Sequence, residues 1–286
     1  MKSRNINRIL EPDFLMLGGK TIAQTLPSSD VDQHDPFLLL HHAGPYDLKA
    51  ENAHFYVGPH PHRGFEPITF VFQGGVRHKD SLGNDSSIEA PGSQWITAGR
   101  GIIHSEQSSA KFEELGGTFE LIQLWVNLPA KLKMSPAKYQ TANEAELINI
   151  SGTPENNKVY LVSGEANHKK GKIISPTGIK SLMAYLKAGS KEIISLSENS
   201  SALIYLLGGE LDIQGQQIKD KQLAILQNEG TSLEITANAD SRVLILEGQA
   251  IKEETVSWGP YVMNSQREIM EAMRDYNQGK MGFLAS

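Results

Sequence analysis

Two pairs of side chains that can bind a transition metal stand in the first half of the chain: His60 with His62, and His104 with Glu106. The two residues of each pair are separated by one position, and side chains two apart on a β-strand point to the same face. If the two strands lie side by side, or face each other across a barrel, the four ligands converge. Three imidazoles and one carboxylate suit a divalent iron, manganese, nickel, copper or zinc ion.

A structural alternative exists for these histidines. They could cap turns or form hydrogen bonds at the rim of the fold, but the matched spacing of the two pairs would then be a coincidence. Glycine-containing turns accompany both pairs, and β-like sequence separates them. The sequence therefore favours a metal site held by two strands.

The residues after the first pair predict how a strand would position the ligands. Every second residue of a regular strand lies on the same face. The face that carries the two histidines would therefore continue into an apolar core. The residues of this parity are His60, His62, Glu66, Ile68, Phe70 and Phe72. The Arg63-Gly64 step could interrupt the register. A metal site at the mouth or in the middle of a β-barrel would be built in this way.

Short apolar runs separated by turn residues continue through both halves of the chain. This pattern predicts an all-β protein in which residues 1–135 form an antiparallel β-barrel or sandwich and residues 136–286 repeat it. Near the end, an N-cap at Asn264 or Ser265 precedes an apolar helical stripe. We expect a C-terminal helix there that docks on a barrel.

The second barrel is predicted to resemble the first without its ligands. Its Gly208-Gly209-Glu210 turn is similar to the Gln73-Gly74-Gly75 turn that follows the first metal strand. The only histidine in the second half is His168, which is far from that turn in the sequence. The second barrel therefore carries no comparable ligand set.

Composition narrows the class of protein. Of the 286 residues, 39% are hydrophobic and 21% are charged, as in an ordinary globular protein. The net charge of -6 and the dispersed cationic residues argue against direct binding of nucleic acid. There is no cysteine, which excludes disulfides and disfavours a purely structural zinc site. No signal-peptide or membrane-spanning run is recognisable, so we expect a cytoplasmic protein without a membrane role.

Three strings and a tail segment resemble the pirin family of the cupin superfamily. They are His60-Pro61-His62-Arg63-Gly64-Phe65-Glu66, Thr97-Ala98-Gly99-Arg100-Gly101-Ile102-Ile103-His104-Ser105-Glu106, Gln123-Leu124-Trp125-Val126-Asn127-Leu128 and Gly259-Pro260-Tyr261-Val262-Met263-Asn264. The resemblance covers nearly the whole chain. It implies a bicupin, with two jelly-roll-type barrels packed together and one divalent transition metal in the N-terminal barrel. Iron(II) is the first choice of ion, with manganese, nickel, copper, cobalt and zinc as alternatives.

The same motifs imply the ligand set. By motif position the metal ligands would be His60, His62, His104 and Glu106. The general cupin pattern would instead use a carboxylate a few residues after the second histidine, where this chain has Glu66. We favour Glu106, with Glu66 as a pocket carboxylate that orients a histidine.

The resemblance also implies a choice between two roles. Some members of the family, chiefly prokaryotic, show quercetin 2,3-dioxygenase activity, and others, in animals, are iron-dependent nuclear cofactors of transcription factors. The first role implies a dioxygenase that opens the central ring of flavonols such as quercetin with O2 and releases carbon monoxide. Glu106, or Glu66 nearby, would accept the proton of the flavonol hydroxyl. The alternative is a metal-dependent, redox-sensitive regulator that binds a protein partner without catalysis. An open pocket favours the enzyme, and a plugged pocket favours the regulator.

Several other residues are candidates for the wall of a substrate pocket, although each has a structural alternative. The apolar candidates, which could equally be plain core, are Phe65, Phe70, Phe72 and Trp95. His78 could lie at the pocket rim, or it could be a loop histidine bonded to Asp80 or to water. His41 and His42 are adjacent in an apolar run, so at most one of them could face a metal pocket, and a structural role is favoured for each.

Overall fold

The computed structural model of the chain describes residues 2–284. Strands that pair antiparallel form its sheets. In chain order the strands are β1 (Ile6–Leu10), β2 (Asp13–Leu17), β3 (Lys20–Leu26), β4 (Phe37–Leu48), β5 (Tyr56–His62), β6 (Phe65–Gln73), β7 (Gly75–Asp80), β8 (Asp85–Glu89), β9 (Gly92–Thr97), β10 (Ile102–Ser108), β11 (Gly117–Asn127), β12 (Lys138–Ala142), β13 (Ile148–Asn149), β14 (Lys158–Ser163), β15 (Glu165–Ala166), β16 (Lys169–Lys170), β17 (Lys180–Leu186), β18 (Lys191–Ser195), β19 (Ser201–Gly208), β20 (Glu210–Ile213), β21 (Gln216–Lys219), β22 (Leu223–Leu226), β23 (Ser232–Ala237), β24 (Ser241–Gly248), β25 (Val256–Trp258) and β26 (Tyr261–Met263). The helices are α1 (Ala110–Leu115), α2 (Ala130–Lys133) and α3 (Gln266–Asn277), with 3₁₀ turns at Ala50–Asn52 and Glu144–Glu146. The all-β prediction is confirmed.

The chain divides into two compact units. The site unit comprises Met16–Ile22, Phe37–Glu144 and the described residues from Ile251 onward. The companion unit comprises the described residues up to Leu15, with Ala23–Pro36 and Ala145–Ala250. This division differs from the single boundary expected after residue 135, because the C-terminal segment packs with the site unit. None of the helices within residues 2–284 is both long enough and apolar enough to cross a membrane.

The site unit contains a large and a small sheet. The large sheet has the strand order β12-β9-β6-β11-β4-β3-β2, and the small sheet has the order β5-β10-β7-β8. The strand β6 is buried along almost its whole length, which matches its apolar sequence. The small sheet carries both predicted ligand pairs, because β5 contains His60 and His62 and β10 contains His104 and Glu106.

The companion unit repeats this arrangement. Its large sheet has the order β1-β22-β19-β24-β17-β14-β13, and its small sheet has the order β18-β23-β20-β21. In each unit a glycine with positive φ, Gly74 or Gly209, joins a strand of the large sheet to a strand of the small sheet. The similarity of the two turns seen in the sequence therefore reflects equivalent places in two similar units.

The predicted continuous strand from His60 to Phe72 is broken at Arg63-Gly64. The residues before the break lie in β5 of the small sheet, whereas those after it lie in β6 of the large sheet. Gly64 has φ +87, and an added Cβ would collide with the backbone carbonyl oxygen of Val262. Only glycine fits this conformation and this close approach easily. The face that carries the histidines therefore does not continue along β6.

The predicted C-terminal helix is present as α3. Its N-cap is Ser265, whose side chain accepts a hydrogen bond from the backbone N–H of Glu268. Ile269 and Ala272 of the helix are buried in an apolar cluster with Ile103, which is next to a predicted ligand. The helix thus supports the back of β10, in agreement with a docking role.

Candidate metal centre

Three imidazoles converge inside the site unit. His60 and His62 project from β5, and His104 projects from β10 directly opposite His60 in the strand pairing. Their ring centroids are 4.3 Å apart for His60 and His104, 4.8 Å for His60 and His62, and 4.9 Å for His62 and His104. One nitrogen from each ring lies within 4.8 Å of the other two. Over residues 2–284 this is the one group of three or more possible ligands with such spacing.

The hydrogen bonds of the three rings leave nitrogen lone pairs for a cation. His60 Nδ1 lies 2.8 Å from the carbonyl oxygen of Gly58, so Nδ1 carries the proton and Nε2 keeps its lone pair. His62 Nδ1 and His104 Nε2 are buried, and neither has a hydrogen-bond partner among the described residues. Buried polar atoms without partners are rare in folded proteins. The arrangement fits a bound cation.

Burial keeps two of these imidazoles neutral. It lowers the pKa of His62 to about 3, with a further contribution from His60. The pKa of His104 is also lowered well below its usual value, first by burial and then by the neighbouring histidines. A metal ligand must be the neutral imidazole. Both rings therefore meet this requirement at neutral pH without an energetic cost of deprotonation.

Glu106 lies on the same face of β10 as His104. Its Oε1 accepts hydrogen bonds from Thr69 Oγ1 at 3.2 Å and from Gln94 Nε2. Its carboxylate is half-buried and stands outside the tight group of imidazole nitrogens. Both of these bonds fall on one oxygen, so they leave the second oxygen, Oε2, to approach a cation.

His78 lies deep in the site unit and not at its rim. Its Nε2 is 3.0 Å from Asp80 Oδ2, and its Nδ1 is 3.4 Å from Nδ1 of His104. The ring is fully buried and stacks on Tyr139, with centroids 4.1 Å apart and an angle of 6° between the planes. The structure therefore shows the bond to Asp80 that was the structural alternative for this residue.

Glu66 is not brought to the imidazoles. It is fully buried, and its Oε1 accepts hydrogen bonds of 2.8 Å from Trp95 Nε1 and from Thr97 Oγ1. Thr69 of the same strand faces Glu106, and strand alternation puts residues of the other parity on the opposite face. Glu66 is therefore separated from the ligands by the sheet itself.

The same alternation corrects most of the predicted pocket wall. Phe70 and Phe72 share the face of Glu66 and are buried core residues. Trp95 is also on that face, because the side chain before it, Gln94, reaches Glu106. Only Phe65 among the four aromatic candidates lies near a ligand, with its ring 5.2 Å from that of His62.

The sequence did not single out Trp125 as an aromatic residue beside the ligands. Trp125 on β11 is half-buried, and its ring lies 5.5 Å from His62 and 4.4 Å from Phe65. Trp125 shares a face of β11 with Gln123, which pairs directly with Thr69. The parity of these two residues was visible in the sequence, but nothing there indicated which strand lay opposite.

A row of polar side chains crosses the inner face of the large sheet. His41, Gln123, Thr69 and Gln94 are consecutive partners across β4, β11, β6 and β9, so they share one face. His41 and Gln123 are half-buried, whereas the next residues, His42 and Leu124, are fully buried. Burial lowers the pKa of His41 to about 4, so it is neutral at physiological pH. Within this row, His41 and Gln123 are therefore partly exposed, whereas Thr69 and Gln94, which hold Glu106, are buried.

The companion unit has no such polar centre in its described residues. At the equivalent place its small sheet pairs Ile194 of β18 with Leu233 of β23, and both are buried. Ile235, two residues further along β23, is buried in the same apolar cluster. Aliphatic side chains thus pair across β18 and β23, whereas imidazoles pair across β5 and β10 in the site unit.

Comparisons with known proteins agree with this architecture. The family model described as Pirin matches residues 19–126, and the model described as Pirin C-terminal cupin domain matches residues 182–282. A Pseudomonas aeruginosa protein provisionally named quercetin 2,3-dioxygenase is 36% identical over 249 residues, which is 87% of each chain. Pirin-1 of Arabidopsis thaliana is 34% identical and covers 93% of this chain and 90% of its own.

A solved structure is similar over the full length. The crystal structure of quercetin 2,3-dioxygenase from Acinetobacter baumannii superposes with a TM-score of 0.91 at 34% sequence identity. The match covers 99% of this chain and 100% of that chain. The fold is therefore that of two cupin domains, as the residues around the two ligand pairs indicated.

Proposed function

Because the chain belongs to the pirin family, we propose that it is a metal-dependent dioxygenase that opens the central ring of flavonol-like aromatic compounds with O2. The observation that carries this proposal is the convergence of His60, His62 and His104, in which His62 Nδ1 and His104 Nε2 are buried without a hydrogen-bond partner among the described residues. The names of relatives and of a similar solved structure point to the same reaction. The geometry adds which side chains would act.

The residues that would hold the metal are the three imidazoles and Glu106. The free nitrogens are His60 Nε2, His62 Nδ1 and His104 Nε2. Glu106 would complete the set through Oε2, while Thr69 and Gln94 hold its other oxygen. When bound, a divalent ion supplies positive charge that lowers the pKa of a coordinated hydroxyl and allows oxygen chemistry. Iron(II) is the ion to test first.

The opening of the site lies on the side of His60. His60 is half-buried, whereas His62 and His104 are almost fully buried, so a substrate would approach past His60. Glu106 is also half-buried, so we expect its carboxylate to be reached from the same side. The partial exposure of His60 and Glu106 supports an enzyme more than a binding module with a plugged core.

Trp125 and Phe65 offer a flat apolar wall beside His62. The centroids of the two rings are 4.4 Å apart, and Trp125 is half-buried. Planar aromatic groups stack favourably on such a ring. We assign Trp125 to orientation of the planar substrate and Glu106 to acceptance of the hydroxyl proton.

Oxygen consumption with quercetin tests the proposal. The protein would be stripped of metal and reloaded separately with iron(II), manganese, nickel, copper, cobalt and zinc, with the metal content of each sample measured. We expect uptake of O2 and release of carbon monoxide with at least one ion, and neither with His62→Ala. Absence of uptake with every fully loaded ion would refute flavonol oxygenation, and a pull-down for a protein partner would then test the regulatory role.

A further inference from the structure

A hydrogen-bonded chain fixes the orientation of His104. Asp80 Oδ2 lies 3.0 Å from His78 Nε2, so this nitrogen carries the proton and donates to the carboxylate. His78 Nδ1 is then an acceptor, and it faces His104 Nδ1 at 3.4 Å. His104 therefore carries its own proton on Nδ1, which leaves the lone pair of Nε2 for the metal.

The carboxylate of Asp80 is itself held firmly. Its Oδ1 accepts backbone N–H bonds from Leu82 at 2.9 Å and Asn84 at 3.1 Å. Its Oδ2 accepts a further bond of 2.8 Å from Asn84 Nδ2. Asp80 and His78 are both buried. The chain that ends at His104 thus begins at an anchored group.

A second hydrogen-bonded chain fixes the orientation of Glu106. Gln94 Nε2 donates to Glu106 Oε1 and lies 3.0 Å from Thr69 Oγ1. Gln94 Oε1 accepts a bond of 3.3 Å from the hydroxyl of Tyr139. An amide has one donor end and one acceptor end, so a donor at its oxygen keeps its NH₂ group directed at the carboxylate.

Tyr139 belongs to both chains. Its ring stacks on His78 at 4.1 Å, and its hydroxyl bonds to Gln94 Oε1. Ser86 Oγ lies 2.8 Å from the same hydroxyl, so Ser86 can donate while Tyr139 donates to Gln94. Burial raises the pKa of Tyr139, which keeps the hydroxyl protonated and able to donate.

We propose that Tyr139 is a positioning residue that sets the geometry of two metal ligands at once, His104 through His78 and Glu106 through Gln94. This inference rests on the proposed metal site, but it does not depend on which reaction the site performs. Residues that orient metal ligands through hydrogen bonds typically change metal affinity about 10–100-fold when they are replaced. Tyr139 would act in this way from β12, a strand of the large sheet.

Two variants separate the two contacts of Tyr139. Tyr139→Phe keeps the ring over His78 and removes the hydroxyl, so the bonds to Ser86 and Gln94 are lost and, of the two chains, the Gln94–Glu106 chain is released. Tyr139→Leu removes the stacking as well, so both ligands lose their support. Cobalt(II) is the probe, because its visible absorption reports on coordination geometry and its binding can be titrated without any turnover.

We expect Tyr139→Phe to weaken cobalt(II) binding about tenfold and to shift the visible absorption bands of the bound ion. Tyr139→Leu should weaken binding further. Tyr205→Phe is the matched control, since Tyr205 is a fully buried tyrosine of the companion unit. It should leave the cobalt(II) spectrum and affinity unchanged. Urea unfolding of the metal-free proteins measures any general loss of stability.

Three outcomes would decide against the inference. An unchanged cobalt(II) spectrum and affinity in both Tyr139 variants would overturn it. Loss of metal-free stability without a spectral change would also overturn it, because that is the signature of a purely structural tyrosine. Failure of the unaltered protein to bind cobalt(II) would overturn the metal site and this inference together, whereas cobalt binding without oxygenase activity would leave the inference standing.

A second matched pair tests the chain through His78. Asp80→Asn should alter the cobalt(II) spectrum, because His78 loses the acceptor that fixes its protonated nitrogen. Glu120→Gln disturbs a similar buried pair, in which His42 Nε2 lies 3.3 Å from Glu120 Oε1. His42 is on the face of β4 opposite His41, away from the imidazole cluster. Equal spectral changes in the two variants would refute a specific role for Asp80.

Discussion

Replacement of Gly64 by alanine should damage both the stability of the site unit and its metal site. Gly64 connects β5, which carries two imidazoles, to β6 in the other sheet. It has φ +87, and its added Cβ would collide with the carbonyl oxygen of Val262 and stand 2.7 Å from Met263 Sδ. The sulfur can move, but the carbonyl belongs to the backbone of β26, whose N–H at Val262 bonds to Arg63 at 3.0 Å.

The expected loss follows from two separate costs. An alanine held at a left-handed backbone conformation costs about 1–2 kcal/mol. Displacement of the Val262 segment breaks at least one buried hydrogen bond, which costs a further ~1–3 kcal/mol. Gly64→Ala should therefore lower the free energy of unfolding by about 2–5 kcal/mol.

Gly19→Ala isolates the first cost. Gly19 also lies in the site unit and has φ +76, but nothing lies within 4 Å of its added Cβ. This variant should lose only the backbone cost of about 1–2 kcal/mol. The difference between the two variants measures the collision with Val262.

Tryptophan fluorescence is the appropriate assay for urea unfolding of both variants. The three tryptophans, Trp95, Trp125 and Trp258, all lie in the site unit, so the signal reports on that unit. Gly64→Ala should also weaken cobalt(II) binding, since His62 stands two residues before the altered turn. If Gly64→Ala and Gly19→Ala lose equal stability within about 0.5 kcal/mol, the argument from close approach is refuted.

Three further predictions concern metal, pH and substrate. Cobalt(II) at about a hundredfold excess over its dissociation constant should stabilise the protein by ~2.7 kcal/mol in thermal unfolding. His104→Ala should abolish this gain in stability. An equal gain in the variant would exclude His104 as a ligand. Burial tends to raise the pKa of Glu192, but hydrogen bonds from Ser151 and its neighbours outweigh burial and lower it from 4.5. The unfolded state then binds more protons, so the stabilisation that comes from ionised Glu192 is present above pH 4.5 and is lost as pH falls through the folded pKa. The urea midpoint of Glu192→Gln should therefore depend less on pH in the acid range than that of the unaltered protein. An unchanged slope would contradict the assignment. Trp125→Leu should raise KM for quercetin about tenfold with metal content unchanged. Phe70→Leu should lower the free energy of unfolding and leave KM unchanged. The reverse pattern would indicate that Phe70, and not Trp125, lines the pocket.

The grouping of the three histidines could be predicted from the sequence because it follows from one local rule about the spacing within each pair. Side chains at i and i+2 share a face of a strand, and β5 and β10 are indeed neighbours in one sheet. The fourth ligand was harder to assign, because Glu66 and Glu106 have the same chemistry. The break at Gly64 turns β6 into another sheet and points Glu66 towards Trp95 and Thr97.

The groups that orient the ligands could not be found from the sequence. Tyr139 lies just beyond the domain boundary expected after residue 135, and no strand was predicted there, but it belongs to the edge strand β12 of the large sheet. Its partners, His78 and Gln94, come from β7 and β9, which are far from it in the chain. The sequence indicates each strand separately, but it does not indicate which strands that are distant in the chain become neighbours in a sheet.

The two units have similar sheets but different side chains at the centre of the small sheet. Where His104 stands directly opposite His60, the companion unit places Leu233 opposite Ile194 inside a continuous aliphatic cluster. Aliphatic contacts stabilise that unit without a ligand, whereas buried imidazole nitrogens without partners cost about 1–3 kcal/mol each. In the site unit, the imidazoles are surrounded by side chains that hydrogen bonds hold in place, including Asp80, His78 and Gln94. Because the hydrogen bonds of these groups end on His104 and Glu106, their arrangement supports binding of a cation by the site unit.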